Sequence, residues 1–234
     1  MEVVVIPGFG GSGEAHWQTL WERSEPAFHR IQPKSWVQPD LADWILATDA
    51  AIARCSVPPI LLAHSLGCLL VAHWAAATGG SSAAAAMLVA VPDPSLPVFP
   101  HEAAAFAALP PGPLPFPTCV VASRDDPFSS LGAVERQAAA WRAAVVIAGA
   151  LGHINSESGL GEWAVGKSLL VDMASNARPS HGTKARIAPR VAPAPKDHDG
   201  SVDSETWSTR SCYRSGVAWS DQHLFETFEE NPSW

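Results

Sequence analysis

Short apolar runs alternate with longer amphipathic stretches from residue 3 to about residue 173. The apolar runs are unbroken, as expected of strands that are buried on both faces of a sheet. In the amphipathic stretches apolar residues recur every three or four positions, as Trp17, Leu20 and Trp21 do, and this period predicts helices. The pattern predicts strands over residues 3–7, 28–32, 59–63, 84–91, 118–123 and 144–148, and helices over residues 15–23, 41–53, 66–77, 101–109, 131–141 and 161–174.

Alternation of strands and helices indicates an α/β fold, with a mostly parallel sheet of about six strands and helices on both faces. Residues 92–117 break the alternation because they are rich in proline, which lacks the N–H group that the interior of a sheet requires. We therefore expect this segment, with its alanine-rich helix over residues 101–109, to cross over outside the sheet, where it could cover a cleft.

The composition changes after Asn176. Residues 178–220 are rich in Pro, Ser and Arg, carry charges of both signs and show no sustained period. Such a segment buries too little apolar surface to offset the entropy that ordering costs. We predict an α/β domain over residues 1–175 and a low-complexity tail over residues 176–234 that is disordered or loosely docked.

Composition and charge narrow the class of protein. The 234 residues are 47% hydrophobic and carry a formal net charge of -8, which speaks against nucleic acid or an anionic membrane as a partner. No apolar run approaches the roughly 20 residues of a membrane span, and no basic segment precedes the first apolar run as in a signal peptide. The four cysteines have neither a CxxC pattern nor the spacing of a disulfide framework. These features predict a soluble, cytoplasmic protein.

The string Ala-His-Ser-Leu-Gly at residues 63–67 lies where an apolar strand passes directly into a helix. Ser65 is flanked two positions away by Ala63 and Gly67, as in a nucleophile elbow, whose strained turn exposes the serine hydroxyl and leaves no room for larger neighbours. Ala63 stands where glycine is usual. An ordinary strand-to-helix turn has the same pattern, so this string alone is weak evidence for an enzyme.

Two further polar residues follow strand ends in the order that such a site requires. A serine hydroxyl needs a base to take its proton, and the base needs an acid to hold its tautomer. Asp126 follows the predicted strand over residues 118–123, and His153 follows the one over residues 144–148. On a sheet of this kind the partners of a catalytic serine follow it along the chain in the order acid, then histidine. We expect these side chains to meet beside Ser65.

Three aspartates are candidates for the acid. Asp126 is favoured because Pro127 fixes a turn directly after it, and Asp125 would then be solvated or accept a turn hydrogen bond. Asp93 is less favoured because the prolines on either side of it indicate a turn. The pattern alone leaves the choice between Asp125 and Asp126 open.

The glycine-dense loop over residues 8–13 follows the first predicted strand. It lacks the lysine of a phosphate-binding loop, and its third glycine is misplaced for a dinucleotide-binding fingerprint. In a hydrolase the same glycines let the backbone approach a tetrahedral oxyanion. We predict the N–H groups of Phe9 and Leu66 as the two oxyanion donors, the latter at the positive N-terminus of a helix.

These motifs together resemble the small serine hydrolases of the retinoblastoma-binding-protein-9/YdeN type, which are compact members of the α/β-hydrolase superfamily. The resemblance spans roughly residues 1–173 and implies a shortened sheet, with Ser65 as nucleophile, Asp126 as acid and His153 as base. It says nothing about the tail. The motifs that carry it are Val5-Ile6-Pro7-Gly8-Phe9-Gly10-Gly11-Ser12, His16-Trp17-Gln18 with Trp21, His64-Ser65-Leu66-Gly67, Asp125-Asp126-Pro127-Phe128 and Gly152-His153-Ile154-Asn155-Ser156-Glu157-Ser158-Gly159.

The leading hypothesis is a serine hydrolase that cleaves a carboxylic ester, or a related acyl bond, of a small molecule through an acyl-enzyme. Candidates for substrate binding are Gly8, Ser12, His16 and Trp17, although packing explains the last two equally well. The alternatives are a catalytically silent binding or scaffold protein on a hydrolase fold, and an acyltransferase that uses the same triad. Either a monomer or a homodimer fits the sequence.

The remaining polar candidates are interpreted as structural. His64 is expected to point inward with a satisfied hydrogen bond, and Cys68 to be a buried apolar residue despite its place at a helix N-terminus. Trp36 and Trp44 could line a binding site or pack in the core. No His, Cys, Asp or Glu group has metal-ligand spacing, so neither a metal nor a cofactor is predicted.

Overall fold

The computed structural model describes residues 1–177 and contains a six-stranded sheet in which every pair of neighbouring strands is parallel. The predicted α/β fold is therefore confirmed. The strands follow the order β2-β1-β3-β4-β5-β6 across the sheet. They are β1 (Val3–Ile6), β2 (Phe28–Arg30), β3 (Ile60–His64), β4 (Ala85–Val89), β5 (Thr118–Ala122) and β6 (Ala144–Ile147).

Within residues 1–177, five α-helices connect or follow the strands, and two of the predicted helices differ from those observed by three residues or more. The helix predicted over residues 101–109 is a shorter 3-10 helix, His101–Phe106, which lies between prolines at positions 100 and 110. The helix predicted from residue 161 begins only at Ala164, because Gly161 and Trp163 have positive φ angles. The α-helices are α1 (Trp17–Ser24), α2 (Leu41–Ile52), α3 (Leu66–Thr78), α4 (Leu131–Trp141) and α5 (Ala164–Ala177).

The domain boundary predicted at residue 175 falls within the last turn of α5, which continues to Ala177. The rest of the predicted tail lies outside the described residues, so its disorder stays a prediction. Within residues 1–177, no helix combines the length and the apolar character needed to cross a bilayer.

The core consists of two layers, one on each face of the sheet. Successive residues of a strand point to opposite faces. Leu61 and Ala63 of β3 accordingly pack in the layer under α2, α3 and α4, whereas Ile60 and Leu62 pack in the layer under α1 and α5. Because both layers are filled, the unbroken apolar runs of the sequence are explained, and polar side chains are left to the ends of the strands.

Tryptophans join α1 to the chain that precedes α5. The rings of Trp17 and Trp163 lie 5.0 Å apart between centroids, and those of Trp21 and Trp163 are stacked at 6.1 Å. Trp17 Nε1 also donates a hydrogen bond of 2.8 Å to the carbonyl oxygen of Ile154. This contact fixes α1 against the loop that follows β6, and thereby positions the residue before Ile154.

Candidate active site

The turn between β3 and α3 holds Ser65 in a strained conformation, with φ +52° and ψ −123°. Close backbone approach explains the glycines around it. A Cβ on Gly67 would lie 2.5 Å from the carbonyl oxygen of Ile6, and a Cβ on Gly8 would lie 2.8 Å from Ser65 Cβ. Ala63 lies within β3, where its methyl group is fully buried in the core. The departure from glycine at position 63 is therefore tolerated by packing.

Three side chains that are far apart in the sequence form a continuous chain of hydrogen bonds at the carboxyl edge of the sheet. His153 Nε2 lies 2.9 Å from Ser65 Oγ, and His153 Nδ1 lies 2.9 Å from each carboxylate oxygen of Asp126. The side chains of His153 and Asp126 are 9% and 4% exposed. In this arrangement the carboxylate accepts from Nδ1–H, which leaves Nε2 unprotonated and able to take the proton of Ser65.

The structure separates the roles of the three candidate aspartates. Asp126 contacts His153 and also accepts a hydrogen bond from the Phe128 N–H group at 2.9 Å. Asp125 instead accepts from the Ser123 hydroxyl at 2.7 Å and from the Gly152 N–H group at 2.8 Å. These two bonds, that of Ser123 first, lower the pKa of Asp125 below its ordinary value. Asp125 therefore ties the loop after β5 to the loop that carries His153.

Asp93 lies in a turn of its own. Its Oδ1 accepts hydrogen bonds from both the N–H group and the hydroxyl of Ser95, at 2.9 and 2.6 Å. Among the three aspartates, Asp126 is thus the one that hydrogen-bonds to His153 in the described residues.

His64 points inward, as predicted, and its hydrogen bond is satisfied. Its Nε2 lies 2.9 Å from the carbonyl oxygen of His153. Burial is the main cause that lowers the pKa of His64 well below its ordinary value, followed by the neighbouring imidazoles of His153 and His16. The ring is therefore neutral, and since a carbonyl can only accept, the proton is on Nε2.

The loop after β1 presents its backbone to Ser65. Gly10 and Gly11 adopt φ angles of +77° and +73°, and the Gly10 N–H group donates to the carbonyl of Trp36 at 2.9 Å. Within residues 1–177, the N–H groups of Phe9 and Leu66 have no acceptor. Two free donors next to the serine are what an oxyanion site requires.

A cavity of about 250 Å³ opens above Ser65 and His153. The predicted residues Gly8 and His16 line it, and so do residues of the proline-rich crossover between positions 92 and 100. Asn155 and Ser156 also line it, and neither was predicted to bind substrate. The lining residues are Gly8, Phe9, Gly11, His16, His64, Ser65, Leu66, Pro92, Asp93, Val98, Phe99, Pro100, Phe128, His153, Asn155 and Ser156.

Two predicted substrate-binding residues, Ser12 and Trp17, are not among the residues that line this cavity. Ser12 is buried, and its hydroxyl donates to Gln18 Oε1 at 2.5 Å. Trp17, the first residue of α1, packs in the core layer under α1, and its Nε1 donates to the backbone carbonyl of Ile154. The apolar stripe of α1 faces the sheet, so its tryptophans belong to the core.

Trp36 and Trp44 pack on each other next to the glycine-rich loop that follows β1. Trp44 is fully buried and its Nε1 donates to the carbonyl of Ser35. Trp36 packs on Trp44, and a Cβ on Gly11 would lie 3.2 Å from the Trp36 ring. Cys68 is likewise buried, and burial raises the pKa of its thiol well above the ordinary value, as expected of an apolar core residue.

Comparison with known proteins places these features in a family. A family model described as serine hydrolase matches residues 3–172. A YdeN-like hydrolase from Pectobacterium atrosepticum has 34% sequence identity and a TM-score of 0.68, and the match covers 76% of this chain and 92% of that one. Among proteins of curated function, the comparison finds no match.

More distant structures share the fold. The ydeN gene product of B. subtilis has 21% identity and a TM-score of 0.62, with 74% of this chain and 98% of that one covered. The mouse alpha/beta hydrolase domain-containing protein 10 has 15% identity and a TM-score of 0.55, with 74% and 90% covered. At these identities the likeness extends to the fold alone.

Proposed function

Because this chain belongs to the YdeN-type serine hydrolases of the α/β-hydrolase superfamily, we propose that it cleaves a carboxylic ester of a small molecule through an acyl-enzyme on Ser65. The observation that carries the proposal is the hydrogen-bonded series from Ser65 Oγ through His153 to Asp126, with 2.9 Å at each contact. The strained, glycine-flanked turn at Ser65 is the geometry of a nucleophile elbow.

In the first half of the reaction, Ser65 Oγ attacks the ester carbonyl carbon while its proton passes to His153 Nε2. The imidazolium that forms is stabilised by the buried carboxylate of Asp126. The carbonyl oxygen becomes an oxyanion, and the free N–H groups of Phe9 and Leu66 donate to it. Collapse of this intermediate breaks the bond to the alcohol oxygen, which takes the proton from His153 and leaves.

In the second half, water replaces the alcohol. His153 Nε2 accepts a proton from the water as the water oxygen attacks the acyl carbon of the ester on Ser65. The same two N–H groups stabilise the second oxyanion. Collapse returns the proton to Ser65 Oγ and releases the carboxylic acid, so the reaction needs no cofactor.

The cavity supports a small substrate. Its volume of about 250 Å³ lies below the roughly 300–1,000 Å³ of pockets that take drug-sized ligands. Phe9, Val98, Phe99 and Phe128 supply apolar walls on which a short acyl chain can pack. We therefore favour esters with short acyl chains over long-chain lipids.

His16 supplies a polar group at the wall of the cavity. Its Nδ1 accepts a hydrogen bond from the Gln18 N–H group at 3.2 Å, and burial lowers the pKa of His16 to about 4. The ring is thus neutral with its proton on Nε2, a buried atom that has no partner within residues 1–177. Because this atom is buried, we propose that His16 contacts the substrate through its ring at the wall of the cavity, while Gly8 lets the substrate approach Ser65.

The test is hydrolysis of a series of chromogenic esters of increasing acyl length by the full-length protein. Ser65→Ala should remove nearly all turnover while the fold is kept, since a methyl side chain fits the turn. Ser156→Ala is the matched control, because Ser156 lines the same cavity without contacting His153, and it should keep activity within about tenfold. Turnover by Ser65→Ala equal to that of the wild type would refute the proposal.

A location in the cytoplasm and a small-molecule partner stay predictions from the sequence.

A further inference from the structure

Glu2, His29 and Cys55 come together at the edge of the sheet opposite Ser65. Glu2 directly precedes β1, His29 lies in the edge strand β2, and Cys55 lies in the connection between α2 and β3. One ligand atom of each residue lies within 4.8 Å of the other two, and His29 Nε2 is 3.9 Å from Glu2 Oε1. A carboxylate, an imidazole and a thiol therefore face one another at a place that the ester reaction does not use.

The Glu2 carboxylate is held in position by its surroundings. Its Oε2 accepts hydrogen bonds from the Ser56 hydroxyl at 3.1 Å and from the Val57 N–H group at 2.8 Å. The bond from Val57 is the main cause that lowers the pKa of Glu2, so the group is a carboxylate at neutral pH. One oxygen is thus anchored by the residues that follow Cys55, and the other is directed towards His29. Metal-binding carboxylates are oriented by outer hydrogen bonds of this kind.

The side chains are accessible but not fully exposed. Those of His29 and Glu2 are 23% and 19% exposed, and Cys55 is half-buried. An ion can therefore enter, and the side chains can close around it by rotation. The present spacing is compatible with this step, because zinc–ligand distances of about 2.0–2.3 Å place tetrahedral ligands roughly 3.5 Å apart.

We propose that Glu2, His29 and Cys55 bind one divalent transition-metal ion, with Zn²⁺ as the ion that best fits a mixed oxygen, nitrogen and sulfur donor set. The thiol and the imidazole disfavour Mg²⁺ and Ca²⁺, which take oxygen ligands. A water molecule completes the fourth position. The ion would join three segments that are separated in the sequence, so it would stabilise the folded state by an amount that rises with the logarithm of its concentration.

Binding is coupled to the release of a proton. A cysteine thiol with its ordinary pKa of about 8.5 is protonated at pH 7. When the ion binds, a metal–sulfur bond replaces the S–H bond and the proton passes to solvent. No electron is transferred and no other reactant is needed.

The experiment is a titration of the chelator-treated full-length protein with Co²⁺, in a Cys212→Ser background and with a reductant that contains no thiol. Of the remaining cysteines, Cys68 and Cys119 are buried in the core. We expect a near-ultraviolet thiolate-to-cobalt charge-transfer band that saturates at one equivalent. Zn²⁺ should abolish the band, because it binds such donors more tightly than Co²⁺.

Variants assign the band to these residues. Cys55→Ser should remove it, and His29→Ala and Ser56→Ala should each weaken Co²⁺ binding about tenfold or more. Circular dichroism without metal checks that each variant is folded. The matched control is His101→Ala with Glu102→Gln, an imidazole–carboxylate pair 3.3 Å apart in which His101 is exposed and Glu102 is partly buried, and this change should leave binding unchanged. A wild-type protein without the band, or a band that survives in Cys55→Ser, would overturn the proposal. Neither result depends on ester hydrolysis.

Discussion

His64 Nε2 donates a hydrogen bond of 2.9 Å to the carbonyl oxygen of His153. The residue before the proposed nucleophile thus holds the backbone of the proposed base. The bond joins the end of β3 to the loop after β6, across 89 positions of the sequence. His64 is 5% exposed, so water cannot readily replace it as the donor to this carbonyl.

We predict that His64→Leu lowers both stability and the reactivity of Ser65. Loss of the donor leaves a buried carbonyl unpaired, which should cost about 1–3 kcal/mol of unfolding free energy. Because the His153 backbone loses its support, labelling of Ser65 by a fluorophosphonate should slow about tenfold or more. Denaturant unfolding and labelling rates measure the two effects. His64→Gln, which keeps a donor, should recover part of the labelling rate.

His73→Leu is the control for this prediction. His73 Nε2 makes the same kind of bond, 3.1 Å to the carbonyl of Phe106, away from Ser65. It should lose stability but keep the labelling rate. If the two leucine variants slow labelling equally, the bond from His64 does not position the base.

The neighbouring aspartates should differ sharply in their effect on turnover. Asp126→Asn should lower kcat by about 10³–10⁴, because an amide cannot hold the His153 tautomer. Asp125→Asn should lower kcat less than about tenfold, since Asp125 contacts Ser123 and Gly152 rather than the imidazole. Steady-state ester hydrolysis by both variants is the measurement. Comparable losses of kcat would show that Asp126 is wrongly assigned as the acid.

Gly67→Ala should destabilise the fold far more than Gly13→Ala. A Cβ at position 67 would lie 2.5 Å from one backbone oxygen and 2.7 Å from the next, whereas a Cβ at position 13 has open space. We expect a loss of about 2 kcal/mol or more for Gly67→Ala and a change within about 0.5 kcal/mol for Gly13→Ala. Chemical denaturation of both variants provides the comparison. Equal stability would mean that the turn at Ser65 has more room than the structure gives it.

Stability should decrease between pH 7 and pH 5 because His16 is buried as a neutral ring. Its pKa is about 4 in the folded state and about 6.5 in the unfolded chain, so the unfolded state binds more protons within this window. Above pH 6.5 the His16 ring is neutral in both states, and its contribution to the unfolding free energy is at its maximum. This contribution falls by up to about 3 kcal/mol as the pH approaches 4, because the unfolded chain takes up a proton that the folded state does not. The lowered pKa of His64 acts in the same direction.

Unfolding by denaturant at pH 7 and at pH 5 measures this dependence. His16→Gln should have a shallower decrease than the wild type, because its side chain does not titrate. A variant with the same slope as the wild type would show that His16 is not the buried neutral group. Asp125, whose pKa is lowered, loses its contribution only near and below pH 3.8 and so does not affect this window.

The sheet and the three triad candidates could be predicted because both depend on local patterns. Apolar runs define strands, and in a parallel sheet every strand end lies at one edge, so Ser65, Asp126 and His153 were expected together. The choice between Asp125 and Asp126 needed the structure, because both residues lie in one turn. Their hydrogen bonds separate them, since Asp125 accepts from the Gly152 N–H group whereas Asp126 contacts the His153 ring.

Other features depend on contacts that a local pattern does not contain. The apolar stripe on α1 predicts the helix but not the direction that the stripe faces, so Trp17 was a candidate for substrate binding although it is buried in the core. Glu2, His29 and Cys55 are separated by more than 25 positions each, and ligand spacing is read over short distances. Their proximity follows from the pairing of β1 with β2 and β3.

The most direct measurement is the site at which an activated-serine probe reacts. The full-length protein is treated with a fluorophosphonate, digested, and the modified residue is located by mass spectrometry. We expect a single adduct on Ser65 that disappears in His153→Ala. An adduct on Ser156, or no adduct on a folded protein, would contradict the claim that His153 and Asp126 activate Ser65.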